Sequence, residues 1–245
     1  MTTGLSYDGS VAGTASYVAQ VAELAVVSQT DTNFQTILPM MITYAENRMY
    51  RDLDFLFTSI STSAYSCTVG SRIIAVPAGT IVVPEQINLI TPAGTTNPDF
   101  GTRVPLLPTT KEFLDAVYGS SFYTAPPQYW VPFDDYTFLL GPYPDAAYTV
   151  EIVGTYRPAS LSATNLTTFI SLYLPDVFLM ASMIYISGYQ RNFGRQSDDP
   201  AMAQSYESQY QTLLKSAMSE ENRKKFEGAG WSSQSASTTA TPTRG

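Results

Sequence analysis

Carboxylates stand side by side at three places in this sequence: Asp134-Asp135, Asp198-Asp199 and Glu220-Glu221. Two carboxylates can serve as acid and base in glycoside hydrolysis, but that chemistry needs them on opposite sides of a cleft. Adjacent side chains rarely meet this requirement. We therefore interpret the three pairs as a hairpin turn, a polar link and a solvated helix end. Asp198-Asp199 also lacks the alternating oxygen ligands of a calcium-binding loop.

The only cysteine, Cys67, lies in a strand-like stretch, and the chain contains no histidine. Without histidine, Ser-His-Asp and Cys-His catalysis and histidine-bearing metal sites are excluded. The phosphate-binding patterns Gly-x-x-x-x-Gly-Lys-Ser/Thr and Gly-x-Gly-x-x-Gly are also absent from the sequence. We therefore predict no enzymatic activity, no cofactor and no metal site. Cys67 is interpreted as a small buried hydrophobe that forms no intrachain disulfide.

Four aromatic residues lie close together in another strand-like region: Tyr129, Trp130, Phe133 and Tyr136. Exposed together, they would form a platform for stacking sugars. At strand spacing, however, such residues more often belong to a hydrophobic core. A carbohydrate-binding module therefore remains an alternative, and a glycan-cleaving enzyme is a third possibility that would need two carboxylates in a pocket.

Two long apolar stretches, 38–57 and 174–190, are predicted to be the helices around which the chain is organised. Each has a leucine-proline pair at its start, and proline suits the first turn of a helix. In the first stretch, apolar residues recur at helical spacing and polar residues, including Glu46, fill the other face. The second stretch is apolar nearly all round, which indicates burial on most sides rather than a membrane span.

The remaining segments complete a prediction of the fold. Helices are expected near 15–27 (capped by Thr14), 39–57, 175–191 and 200–226. A β-rich region is expected at about 61–157, with a short helix at 110–118 and a hairpin turn at Asp134-Asp135. Pro84 argues against a central strand that crosses its own position. The predicted class is α+β: a helical bundle core with an inserted β-rich region and extended termini.

This pattern predicts four parts of the chain. Residues 1–60 would form an N-terminal arm and helices, with 1–13 unlikely to be ordered alone. Residues 61–160 would form the inserted β-rich region, and 161–228 the helices that complete the bundle. From 229 to 245 the Ser/Thr/Ala-rich composition predicts an extended arm that cannot bury enough apolar surface to order itself.

Composition favours a subunit of an assembly. Only 14% of the residues are charged, and tyrosine, which is favoured at contact surfaces, occurs 17 times. The net charge of −8 disfavours gripping DNA by counterion release, although an acidic surface can line a passage through which DNA slides. The same charge can also simply aid solubility. The N-terminus lacks the basic and apolar regions of a signal peptide.

The order of four sequence pieces resembles the head–tail adaptor (connector, or neck) proteins of tailed bacteriophages. The resemblance spans roughly residues 34–218. Its pieces are the helix with Leu38-Pro39 and Tyr44-Ala45-Glu46-Asn47-Arg48, the passage Gly141-Pro142-Tyr143-Pro144 to Leu161-Ser162, the opening Tyr173-Leu174-Pro175-Asp176, and the Tyr-rich helix Tyr206 to Leu214.

This resemblance implies a structural virion protein at the head–tail junction. It implies a homo-oligomeric ring, a dodecamer, docked between the portal and a tail or nozzle protein. DNA would pass through its lumen without sequence-specific binding, and no membrane would be involved. Terminal arms in such rings reach onto neighbours or the portal. We therefore expect partner-binding residues at Phe226, Trp231 and Arg244, with Trp231 packing against its own subunit as the alternative. In this setting the competing module would be a carbohydrate-binding or adhesion module of the virion.

Overall fold

The computed structural model describes residues 4–190 and 201–228, and at 188–190, 201–203 and 226–228 it describes the backbone only. The described helices are α1 (Tyr17–Leu24), α2 (Thr32–Asp52), α3 (Lys111–Val117), α4 (Phe169–Tyr173), α5 (Pro175–Gln190) and α6 (Ala201–Gly228). The described strands are β1 (Gly4–Ser6), β2 (Thr14–Ser16), β3 (Ser59–Ser66), β4 (Ile73–Ala75), β5 (Val83–Thr91), β6 (Thr102–Pro105), β7 (Leu107–Pro108), β8 (Tyr129–Asp134), β9 (Thr137–Gly141) and β10 (Thr149–Thr155).

The chain divides into two compact units, so the predicted helical bundle core is wrong. The helical unit comprises Met1–Leu56 and Ala159–Gly245, and the β unit comprises Phe57–Pro158. Across the described residues, the six helices share the molecule with three sheets, and the β unit has a hydrophobic core of its own. The long apolar helices dominate the sequence pattern because their periodicity extends over many residues, whereas short strands give weak signals. The predicted four-part division remains a prediction.

Helix α2 begins earlier and ends earlier than the predicted span of 39–57. Asp31 caps it by accepting the Phe34 N–H at 2.8 Å, which makes Asp31 a typical N-cap. Pro39 therefore lies inside the helix, on its exposed side, instead of in its first turn. The buried stripe of α2 is Phe34, Leu38, Met41, Ile42, Ala45, Glu46 and Met49. Glu46, predicted for the polar face, is therefore in the interior.

Helix α5 is buried on most of its sides within the helical unit, as its sequence predicts. Every residue from 177 to 187 is buried or half-buried. The Tyr17 ring of α1 stacks on Phe178 at 4.7 Å, and its hydroxyl donates to Ser182 at 2.7 Å. Helix α4 was not predicted from the sequence. It precedes α5 and is stabilised by a capping box between Thr168 and Ser171.

From residue 4 onward, the N-terminal segment packs within the helical unit, and its order therefore depends on contacts outside the segment. Strands β1 and β2 pair in parallel, and the Tyr7 N–H donates to the Leu166 carbonyl at 2.8 Å. Gly4 approaches the α4 backbone so closely that a Cβ would lie 2.7 Å from the Leu172 oxygen. Helix α1 is shorter than the predicted 15–27: it starts later because its cap is Ser16 and not Thr14, and it ends at Leu24.

The β unit is a sandwich of two four-stranded sheets. One sheet has the order β3-β10-β5-β6 and the other the order β4-β9-β8-β7. Alternate residues of each strand point to opposite faces. The core between the sheets contains Ile87 and Ile152 from the first sheet, and Trp130 and Phe138 from the second. On its other face, the second sheet contributes to a small cluster with Leu114 of α3.

The outer face of the first sheet carries a polar network instead of a second core. Glu151 of β10 accepts hydrogen bonds from Asn88 at 2.9 Å and from Arg103 at 3.0 Å. Burial raises the pKa of Glu151, but these hydrogen bonds outweigh burial, so its pKa lies below the usual value. This sheet therefore packs apolar side chains on one face and carries paired polar side chains on the other.

Strand β5 begins just before Pro84, and there β10 is its only described strand neighbour, because β6 pairs only with Asn88 to Thr91. No strand is therefore paired on both sides at Pro84, which agrees with the prediction from proline. The register of β10 shifts between Val153 and Gly154, opposite Pro84. Gly154 approaches the Val83 carbonyl and Pro84 so closely that any side chain would collide with backbone. A bulge and a glycine thus give room for the close approach of β10 to Pro84 near the start of β5.

Other predictions for this region are confirmed. Strands β8 and β9 form the predicted hairpin, with Asp134 accepting the Tyr136 N–H at 2.8 Å in the turn. Helix α3 lies within the predicted span of 110–118 and is capped by Thr110. Strands β6 and β7 were not predicted from the sequence, because strands of four and two residues show too little alternation to be recognised.

Candidate docking surface

The groups considered for chemistry do not assemble into a catalytic site in the described residues. The described part of the chain has no cluster of carboxylate and cysteine side chains that would hold a metal ion. Burial raises the pKa of the Cys67 thiol to about 12, so it carries no thiolate near neutral pH. Asp134 serves the hairpin turn, and Glu221 accepts the Leu56 N–H at 3.2 Å and pairs with Lys224. Asp198-Asp199 lies outside the described residues.

The four aromatic residues that were the alternative candidate for a sugar platform do not share one exposed surface. Trp130 is buried against Phe138, with ring centroids 5.8 Å apart. Tyr129 is half-buried on the other face of the sheet, 5.3 Å from the Phe113 ring. Only Phe133 and Tyr136 are exposed. The four rings therefore point in different directions, since neighbours along a strand alternate between its two faces.

Three other aromatic residues are highly exposed in two loops of the β unit. Phe122 and Tyr123 lie in the loop 118–128 and are 94% and 75% exposed, and Phe100 lies in the loop 92–101 and is 85% exposed. We call these three residues the aromatic tip. Single exposed apolar side chains are common on proteins, but grouped exposed aromatics indicate a binding surface.

Both loops of the aromatic tip are fastened to the turn 141–148, which joins β9 to β10. Gly94 donates its N–H to the Ala147 carbonyl at 3.1 Å, and Ala125 donates its N–H to the Tyr143 carbonyl at 2.9 Å. The two loops therefore lie at the same end of the sandwich, and their backbones are fixed by hydrogen bonds. A surface whose backbone is already ordered loses little conformational entropy when a partner binds.

Local sequence explains why these loops are ordered. Asn97 caps the short turn Pro98–Phe100, and Gly101 follows where a Cβ would lie 2.5 Å from Ile90. In the other loop, the Phe122 N–H donates to the Ser120 hydroxyl at 3.3 Å. The aromatic tip was not predicted from the sequence. The available signal was three aromatic residues in segments whose composition predicts loops, where no strand or helix can bury them.

The helical unit presents polar contacts that hold its helices together. Arg48 of α2 binds Glu207 of α6 with two hydrogen bonds of 2.8 and 2.6 Å, and its guanidinium lies 4.5 Å from the Tyr210 ring centroid. This pairing lowers the pKa of Glu207. Burial, and then the hydrogen bond to Asp52, raise the pKa of Tyr210. The groups are fully engaged with one another, so this cluster is structural.

A shallow opening of about 530 Å³ also lies in the helical unit. It is lined by Tyr7, Asp8, Ser16, Val18, Gln29, Thr30, Gln35 and Leu38. Its one charged group, Asp8, is engaged with Ser10, whose hydrogen bonds lower the pKa of that carboxyl. The lining offers neither paired carboxylates nor a cation, so it gives no indication of chemistry.

The predicted partner-binding residues fall where the structure describes no side chains. Phe226 lies in α6, where only the backbone is described, and Trp231 and Arg244 lie outside the described residues. Their roles therefore stay predictions. Within the part of the chain that is described, the helices do not reach the length and hydropathy that a membrane span requires.

Comparison with known proteins identifies the family. No curated protein matches the chain. The family model described as SU10 adaptor protein matches residues 15–237, which include the whole β unit, most of the helical unit and all four sequence pieces that resemble head–tail adaptors. The chain therefore belongs to the SU10 adaptor protein family, and its resemblance to the head–tail adaptors of phages is confirmed.

Proposed function

We propose that this phage structural protein forms a homo-oligomeric ring, a dodecamer, in the neck of the virion. The ring joins the portal of the capsid to a tail or nozzle protein, and DNA passes through its lumen. The aromatic tip carries the proposal, because it offers large apolar side chains on an ordered backbone in a chain of the adaptor family. Exposed aromatics of this kind are the usual anchors of protein–protein interfaces.

The charge of the chain suits the passage of DNA. The net charge is −8, and lysine and arginine together number only 13. The chain therefore offers few cationic side chains that could neutralise the phosphates of the DNA backbone. Binding by counterion release requires many such contacts, and a protein without them lets the duplex slide. In this proposal the lumen is acidic or neutral, and the protein contributes mechanical contacts rather than chemistry.

The first test is to mix the purified protein with the phage portal and to image the mixture by negative-stain electron microscopy. We expect a ring stacked on one end of the portal. We expect weak self-association without the portal, because a subunit with few charges and exposed aromatics gains most of its contacts on the template. Monomers in both samples would contradict the proposal.

Substitutions in the aromatic tip test its role in the same experiment. Phe122→Ser together with Tyr123→Ser removes two exposed anchors and should lower the fraction of complete portal–ring–tail assemblies about tenfold, the effect of losing a modest hot spot. The matched control is Phe133→Ser with Tyr136→Ser, which changes two exposed aromatics at the opposite end of the same sandwich. Equal assembly by both variants would show that the aromatic tip is not part of the interface.

The C-terminal arm supplies a second set of contacts in this proposal. Phe226, Trp231 and Arg244 bind the portal, with Trp231 as the large apolar anchor. Deletion of 229–245 should weaken docking of the ring to the portal by about tenfold or more, since one buried tryptophan commonly contributes that much. Replacement of the arm by a Gly/Ser segment of equal length controls for loss of bulk. Unchanged docking after deletion would contradict this role.

We do not propose a carbohydrate-binding function. That alternative required Tyr129, Trp130, Phe133 and Tyr136 to share an exposed surface. Trp130 is buried and Tyr129 is half-buried on the opposite face of the sheet, so the platform does not exist.

A further inference from the structure

Strand β3 is the one long edge of the β unit that carries no protection against pairing with another strand. The four edge strands are β3 and β6 of one sheet, and β4 and β7 of the other. Strand β4 has three residues, β7 has two and includes Pro108, and β6 has four, with Arg103 and a terminal Pro105. Short length, proline and charge are the usual means of protecting an edge. Strand β3 has eight residues, Ser-Ile-Ser-Thr-Ser-Ala-Tyr-Ser, without proline or charge.

The outer side of β3 is open in the described part of the chain. Its only described strand partner is β10, and none of its eight residues is fully buried. An antiparallel strand directs half of its backbone N–H and C=O groups away from its single partner. These groups form a template for one more strand, as in β-strand addition.

We propose that β3 accepts residues 232–241 of a neighbouring copy as an added strand, which links the subunits of the ring. The inference rests on the proposed ring for the presence of a neighbour. Beyond the ring itself, the inference identifies residues 232–241 as the segment that joins one copy to the next and β3 as the edge that receives it.

The composition of this segment suits the edge. Residues 232–241 read Ser-Ser-Gln-Ser-Ala-Ser-Thr-Thr-Ala-Thr, without charge, glycine or proline, and Pro242 follows directly. Ten residues extend about 33 Å as a strand, enough to cover the roughly 27 Å of an eight-residue β3. Ser and Thr would lie opposite the Ser and Thr of β3, a favourable cross-strand combination, and no like charges would meet.

The symmetry of a ring favours a neighbour as the donor. Each copy offers one C-terminal segment and one open β3 edge. If each copy donates its segment to the next copy around the ring, every β3 edge receives one segment and none is left over. Such a head-to-tail contact is a heterologous interface. Trp231 and Arg244 flank the segment and stay available for the portal.

Disulfide trapping between two separate variants tests the exchange directly. One full-length protein carries Ala64→Cys at an exposed position of β3, and the other carries Ala236→Cys. The two are mixed with portal and oxidised, so that a disulfide between the new cysteines can form only between copies. Gln234→Cys and Thr238→Cys, each mixed with Ala64→Cys, cover a shift of register. The control partner is Val104→Cys, which is 38% exposed on β6, the other edge of the same sheet.

We expect a cross-linked dimer at least tenfold stronger with Ala64→Cys than with Val104→Cys, at one or two of the three tail positions. Native Cys67 is buried and is present in both arms, so its background cancels. Rings on the portal without this dimer would overturn the strand exchange and leave the proposed ring intact. Absence of rings in the microscope would overturn the proposed function itself. A double variant, Ala64→Cys with Ala236→Cys, that cross-links only within one chain would also overturn the exchange.

Discussion

Glu46 is a carboxylate in the interior of the helical unit, 1% exposed. Its Oε1 accepts the Leu161 N–H at 3.1 Å and the Thr168 hydroxyl at 3.5 Å, so the side chain holds the segment that leads into α4. Burial raises the pKa of Glu46 above its usual value, and the hydrogen bonds offset only part of this effect. Folding therefore shifts the ionisation equilibrium of this carboxyl toward its protonated form.

The raised pKa of Glu46 predicts a pH dependence of stability. The carboxyl ionises more easily in the unfolded chain than in the folded protein. The free energy of unfolding should therefore fall as pH rises from the unfolded pKa through the raised folded pKa. Glu46→Gln removes this ionisation. The difference between the Tm of the variant and the Tm of the wild type should therefore increase as pH rises from 4 to 8. Thermal unfolding at a series of pH values measures this difference.

Asn47→Gln is the matched control for this measurement, because it changes the next residue of the same helix without a titrating group. It should follow the pH dependence of the wild type. A Glu46→Gln variant that runs parallel to the wild type across the whole series would show that Glu46 does not titrate differently on folding.

At the scale of elements, α2 illustrates a proline inside a helix. Asp31 accepts the Phe34 N–H and starts the helix at Thr32, so the first turn lies well before Pro39. A proline in that position has no N–H to donate to the carbonyl four residues earlier and crowds it with its ring. The helix tolerates this because Pro39 is on the exposed side, opposite the stripe headed by Phe34 and Leu38.

Pro39→Ala should stabilise the protein by about 1–3 kcal/mol, because alanine restores the missing hydrogen bond at an interior helical position. Urea unfolding measures the change. Asp31→Ala in the same experiment should cost about 1 kcal/mol as the loss of a cap. A destabilising Pro39→Ala together with a neutral Asp31→Ala would instead indicate that the helix starts at Pro39.

At the scale of the whole molecule, the β unit is an insertion whose two ends meet. Ser59 of β3 pairs with Thr155 of β10, and the Tyr156 N–H donates to the Thr58 carbonyl at 2.9 Å. The unit also has its own core between two sheets. A segment with adjacent ends and a separate core meets the requirements of an independently folding domain.

We therefore predict that residues 57–158 fold when expressed alone. The expected result is a cooperative urea transition and a dispersed amide NMR spectrum. Trp130→Ala serves as the comparison, since loss of this core side chain should cost about 3–5 kcal/mol and abolish or greatly weaken the transition. A non-cooperative wild-type fragment would show that the β unit depends on the rest of the chain.

The sequence by itself determined the features that depend on neighbouring residues. The β8–β9 hairpin, the cap and span of α3, and the burial of α5 follow from turn residues and apolar periodicity within short windows. The absence of histidine excluded histidine-based catalysis, and the order of four pieces from Leu38 to Leu214 indicated the adaptor family.

Only the tertiary structure decided features that depend on distant partners. Glu46 is buried because Leu161 and Thr168 lie against it, more than a hundred residues along the chain. Pro84 can stand near the start of β5 because Gly154 and a bulge lie opposite and β6 does not reach it. The sequence predicted an inserted β-rich region, but only packing decided that its two sheets enclose a core of their own. Local periodicity reports which face of an element is apolar, but burial depends on what packs against that face.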